Sequence, residues 1–118
     1  MSIKKVFLYA EIQVAIPFEK IDWKTIDKQM KENPGLKSKT WLSGVNNHSI
    51  GGFYEFDSVE NARAYATGYL AKAADQLGGL LSVKLFNGDV TAEASKAIYS
   101  PFYANEAGPV RVPAEADA

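Results

Sequence analysis

The chain contains no cysteine. That excludes disulfide staples, thiolate nucleophiles and the cysteine-based zinc and iron–sulfur sites. It has a single histidine, His48, so a multi-histidine metal site cannot form within one chain. No sign of charge dominates: 13 Lys and Arg stand against 14 Asp and Glu, for a net charge of -1. Neither nucleic acid nor an anionic membrane surface is an expected partner. No apolar run approaches the ~18 residues of a membrane helix. The nearest is "VFLYAEIQVAI", which follows Lys4 and Lys5 as a signal peptide's apolar region would. Glu11 and Gln13 break it, and no small-residue cleavage site follows cleanly. The expectation is a soluble, cytoplasmic protein. Also missing are a P-loop, GxSxG, HExxH, a dinucleotide fingerprint and paired carboxylates at a defined spacing.

What is present reads as one domain, since 118 residues leave little room for two. From Val6 to Ile16 the residues alternate. Val6, Leu8, Ala10, Ile12, Val14 and Ile16 make a wholly apolar face, and Phe7, Tyr9, Glu11 and Gln13 a mixed one. That period predicts a strand. Asp22 is placed to cap a helix over "DWKTIDKQMKEN", with Trp23, Ile26 and Met30 on one face, and Pro34-Gly35 ends it. "LKSKTWLSGV" and "IGGFYEF" predict two strands around an "NNHS" turn. Asp57, with Glu60 three residues on, suggests the start of a second helix. Its alanine-rich stripe runs to a Gly78-Gly79 cap. "LLSVKLFNGDV" is a fourth strand, and a short helix is expected after Thr91.

The order β-α-β-β-α-β is the split βαβ pattern of a ferredoxin-like α+β fold. It implies a four-stranded antiparallel sheet with two helices on one face. The opposite face, with Phe7, Tyr9, Glu11 and Gln13, is then bare in a monomer, so a sheet-to-sheet homodimer is expected. The domain is expected over residues 1–98. Residues 99–118 read as a tail, docked in part through Tyr99, Phe102 and Tyr103 and disordered beyond about Pro109.

This topology gathers "IPFEKID", "NNHS" and "LGG" at one edge. His48 then has two readings. One is an exposed turn residue among asparagines that tolerate left-handed backbone. The other is a general base or substrate hydrogen bonder at the mouth of a pocket, because imidazole titrates near neutrality. The aromatic residues divide in the same way. Trp23, Trp41, Phe53, Tyr54 and Phe56 suit a core, yet large rings facing an alanine-rich helix also leave volume for a small molecule. Lys20, Lys24, Lys28 and Lys31 read as a solvated helix face.

"PGLKSKTW" followed by "NNHSIGGFYEF" resembles the YdhR-like family of mono-oxygenases. The resemblance is carried by Pro34, Gly35, Trp41, Asn47, His48, Gly51, Gly52, Phe53 and Phe56. Pro17-Phe18, Ala64-Tyr65 and "VKLFNGDV" fit as well, over roughly residues 5 to 98. The resemblance implies a dimeric α+β barrel and a link to mono-oxygenases that act on polyketide quinones without a cofactor. Under it His48 is the expected base and Asn47 a donor to the substrate oxyanion. Trp41, Tyr54, Phe56, Trp23 and Phe18 are the expected substrate contacts. The partners are O2 and a small electron-rich aromatic or quinone-like molecule, with no metal, flavin or haem. A non-redox isomerase or cyclase on the same scaffold, or a binding protein without turnover, is the alternative.

Overall fold

The computed structural model describes residues 2–104. Four strands, β1 (Val6–Gln13), β2 (Leu36–Ser43), β3 (Ser49–Phe56) and β4 (Leu80–Asn87), form one sheet in the order β2-β3-β1-β4. Every pairing is antiparallel. This is the ferredoxin-like α+β architecture. β1 is central because the α1 crossover leaves room for β3, which folds back from β2 as a hairpin, and the second helical crossover brings β4 to the other side of β1. The first strand stops at Gln13, where its ladders with Ser49 and Leu80 both end. The chain then runs through Pro17 into a 3-10 turn at Phe18–Lys20.

Helix α1 (Trp23–Lys31) starts where the Asp22 carboxylate accepts from the Thr25 backbone N–H. It ends at Asn33, whose side-chain amide donates to the Gln29 and Met30 carbonyls. Gly35 then turns the chain at a φ of 80° that side-chained residues rarely adopt. Helix α2 (Val59–Tyr65) is capped by Ser58, whose hydroxyl accepts from the Asn61 N–H at 3.1 Å. The expected cap, Asp57, instead accepts from the Asn61 side-chain amide. The helix is not regular. A π-helical turn at Ala66–Leu70 joins α2 to α3 (Ala71–Leu77), which Gly78 ends at φ 73°. The expected short helix after Thr91 is α4 (Ala92–Ala97).

The helices cover one face of the sheet. Val6, Leu8, Ala10, Tyr54 and Phe56 from the strands meet Met30, Ala62, Tyr65 and Leu70 in a single buried cluster. The opposite face is not as bare as expected. A 3-10 turn at Pro101–Tyr103 lies across it, with Phe102 4.9 Å from Phe53 and Tyr103 6.0 Å from Phe7, ring centre to ring centre. The Tyr103 hydroxyl donates to the Gly88 carbonyl at 2.7 Å. Lys5 Nζ donates to Glu55 at 3.0 Å and to the Phe102 carbonyl at 2.8 Å. Phe7 is thereby buried, while Tyr99 stays 45% exposed. Tyr9 and Glu11 remain half-buried and Gln13 exposed. The segment beyond Pro109, expected to be disordered, lies outside the described residues. Among the described residues no helix is long and apolar enough to cross a membrane.

Candidate active site

Between α1, the π-helical turn and the inner face of β1–β3 lies a cavity of about 150 Å³. The sheet supplies Ala10, Ile12, Lys39, Trp41, Ile50 and Tyr54 to its wall. Helix α1 adds Ile26, Gln29 and Met30, and the π-helical turn and α3 add Tyr69, Leu70, Ala73, Gln76 and Leu77. The lining is mostly aliphatic and aromatic, with few polar groups, which is the composition of small-molecule sites. The alanine at position 73 leaves the space that a larger residue would fill.

Strand β2 positions the two most distinctive groups. A β-bulge between Leu36 and Ser38 resets its register, so Lys39 lies opposite Tyr54 and Trp41 opposite Gly52, all on the inner face. Gly52 matters for Lys39. A Cβ there would stand 2.6 Å from Lys39 Cε, so a side chain at this position would push the end of the lysine chain from its place over the indole. Lys39 Nζ lies 3.2 Å from the Trp41 ring centre and 4.9 Å from that of Tyr54. It donates weakly to the Met30 thioether at 3.4 Å. The nearby Asp27 carboxylate is engaged by Trp41 Nε1, which donates to it at 3.0 Å. Burial among these groups pulls the Lys39 ammonium down from 10.5 to about 7, against an upward pull from Asp27.

The phenols move the other way. Burial pushes Tyr54, Tyr65 and Tyr69 up, so each stays neutral and can serve as an O–H donor or acceptor but not as a base. Tyr69 donates to Gln29 at 3.0 Å, tying the π-helical turn to α1, and stacks on Tyr65. Among the described residues the buried Tyr65 hydroxyl finds no hydrogen-bond partner.

Of the residues expected from the sequence, Trp41 and Tyr54 stand together in the wall. Phe18 does not line the cavity but backs Trp41 edge-on at 5.5 Å. Phe56 is fully buried against Tyr54 and Tyr65 and belongs to the core. Phe53 faces the other side of the sheet, against Phe7 and Phe102. Trp23 is 42% exposed, because it sits at the first position of α1, beyond the reach of the sheet. His48 was expected at the pocket mouth. It is exposed on the β2–β3 turn at φ 49° and is not among the cavity's lining residues. Asn47 is exposed beside it, its amide oxygen accepting from the Ser49 hydroxyl. The turn's own geometry uses both residues. Lys39, Gln29, Tyr69 and Gln76 were not anticipated. For Lys39 a signal existed, because alternation from Trp41 puts it on the same face.

The profile described as "Putative mono-oxygenase ydhR" matches residues 9–100. The chain belongs to the ydhR family. None of the curated proteins matches it. Among solved structures it is similar to a monooxygenase from the gene ActVA-Orf6 of Streptomyces coelicolor, in complex with Nanaomycin D. That match has 16% identity and a TM-score of 0.52, over 72% of this chain and 87% of the other. It is also similar to a mutant of SnoaB, a cofactor-independent oxygenase from Streptomyces nogalater. Here the identity is 18% and the TM-score 0.51, over 70% of this chain and 91% of that one. At these identities the likeness concerns the fold.

Proposed function

We propose that this ydhR-family chain is a cofactor-independent mono-oxygenase acting on a small electron-rich aromatic substrate in the cavity. The observation that carries the reading is a largely apolar cavity walled by Trp41 and Tyr54, in a chain of a mono-oxygenase family. A hydroxylated ring reacts with O2 once its hydroxyl is ionised. One oxygen atom then bonds to a ring C–H carbon, which becomes a carbonyl, and the other leaves as water. The substrate supplies all four electrons, so O2 is the only oxidant required. The protein's contribution is to hold the ring in one orientation and to exclude bulk water. In this reading Trp41 and Tyr54 hold the ring faces, and Gln29, Gln76 and Tyr69 offer the polar contacts that orient it. The cofactor-independent oxygenase named among the similar structures fits this proposal.

Oxygen uptake with a panel of single-ring hydroquinones and naphthols tests it. The expected result is enzyme-dependent uptake, with one labelled atom in the product when 18O2 is supplied. Binding without uptake across the panel favours a binding protein, and conversion without uptake favours an isomerase or cyclase.

A further inference from the structure

Lys39 lies where a strongly hydrated ammonium is poorly accommodated. Its Nζ has a thioether at 3.4 Å and an indole ring centre at 3.2 Å. Among the described residues no carboxylate stands within ion-pair distance of it. The charged groups packed around it are few. Asp27 on α1 is committed to the Trp41 N–H. Lys31 on the same helix, and Lys37 on β2, line a second, more polar depression of about 230 Å³ together with Lys39. Lys37 Nζ is drawn to Glu55 at 3.7 Å. From β3 and the π-helical turn come only the phenols of Tyr54 and Tyr69.

We propose that Lys39 is the base of this cavity: its amine takes the proton of a phenolic hydroxyl on a one-ring aromatic ligand and then stays beside the phenolate as its counter-ion. Only the later fate of the phenolate rests on the oxygenase reading. In the step itself the Nζ lone pair forms an N–H bond, the O–H bond breaks, and its electrons stay on oxygen. Nothing is oxidised. An isolated charge is costly in an apolar cavity, but the ammonium and phenolate form together and offset each other. Half-neutral near pH 7, the amine is available to accept the proton. Among the cavity's polar groups, the amides of Gln29 and Gln76 do not titrate, and burial holds the two phenols protonated. The ring count follows from size, since a cavity of about 150 Å³ matches one that holds benzene. A larger aromatic system fits only with its remaining rings outside the mouth.

The probe is 3-nitrophenol, whose hydroxyl is largely un-ionised at neutral pH and whose phenolate has its own visible band. Binding is followed by that band and by quenching of tryptophan fluorescence. The wild-type protein at pH 7 is expected to bind the probe and raise the phenolate band with release of about half a proton per ligand, since about half of the amines already carry one. Lys39→Met is expected to bind it without the band. Lys39→Arg, which keeps the charge but cannot accept a proton, is expected to restore the band with release of about one proton per ligand. The proposal is overturned by a band that survives in Lys39→Met, by binding without a band in wild type, or by no binding. Should Lys39→Met fail to fold, Lys39→Gln replaces it. An oxygen-electrode assay separates the two readings. Phenolate formation with no O2 uptake on any oxidisable phenol sinks the oxygenase alone. Uptake undiminished in Lys39→Met sinks the lysine alone.

Discussion

The side-chain nitrogen of Lys39 lies 3.2 Å from the centre of the Trp41 indole ring, two positions along the same strand. The indole does two jobs at once. Its face holds the lysine by a cation–π contact, and its N–H fixes the Asp27 carboxylate at 3.0 Å. The lysine is thus kept from reaching back to solvent, as long cationic side chains otherwise do.

The pH dependence of turnover follows. If Lys39 is the base, kcat/KM falls on acidification below about pH 7, where the amine gains its proton. Lys39→Met should lower turnover by about 10²–10⁴-fold. His48→Ala decides between the lysine and the histidine. It should leave turnover and the acidic limb unchanged, with stability within about 0.5 kcal/mol of wild type. Loss of the acidic limb in His48→Ala, in a steady-state pH profile, restores the histidine as base.

Stability should respond to the same group. The folded-state value of Lys39 is depressed from 10.5 to about 7. Between those limits the unfolded chain binds more protons, so this lysine makes stability rise with pH there. Lys39→Met should be the more stable protein at pH 7, and its advantage should shrink by pH ~9.5. Above about pH 10 the buried tyrosines act oppositely, because the unfolded phenols ionise while the folded ones do not. Urea midpoints of both proteins across this range provide the check.

Gly52→Ala should separate placement from folding. The added methyl meets Lys39 Cε and the Tyr54 ring, both side chains that can shift. Circular dichroism should show an intact fold, with turnover lowered about as far as in Lys39→Met. At Gly51 the same change overlaps the Ala10 carbonyl, which is backbone and cannot give way. Gly51→Ala should therefore unfold at markedly lower urea.

Tyr103→Phe removes the hydroxyl that donates to the buried Gly88 carbonyl at 2.7 Å. Leaving such an acceptor unsatisfied costs about 1–3 kcal/mol. A urea midpoint unchanged from wild type would mean that the carbonyl finds another donor.

Past the aromatic strap, the outer face of the sheet still presents Phe86 at 48% and Leu80 at 76% exposure, with Tyr9 between the flanking strands. A second copy of the chain is expected to cover this patch. Light scattering on a gel-filtration peak should give twice the chain mass at micromolar concentration. Phe86→Glu should shift it toward the monomer.

The alternation in β1 and the order of elements made the ferredoxin-like sheet legible, because period and turn chemistry are local. Trp41 and Tyr54 could be placed on one face for the same reason. Alternation counted back from Trp41 reaches Lys39, but counted forward from Leu36 it misses it, because the bulge at the start of β2 puts Leu36 and Lys39, three residues apart, on one side. Lys39 was hidden also by its type, since a lysine in a strand suggests solvent. The covering of Phe7 by Tyr103 joins residues far apart in sequence; the tail's aromatic residues announce docking but not where they dock. The exposure of His48 follows from backbone geometry at the turn, which the residue types permitted but did not dictate.

The π-helical turn has a consequence for how the cavity wall could change. Ala66–Leu70 holds one residue more than a regular turn needs, and the exposed Gly68 within it has no neighbour within 4 Å of where a Cβ would stand. Deleting Gly68 removes the surplus residue without disturbing packing at that position. The segment then closes as a regular turn of about 3.6 residues, and the residues from Tyr69 to Leu77 keep nearly their present phase relative to α2. Leu70 stays in the core cluster and Ala73 in the wall, while the widened turn beside Tyr69 closes, so one codon trims the cavity locally without refacing the helix.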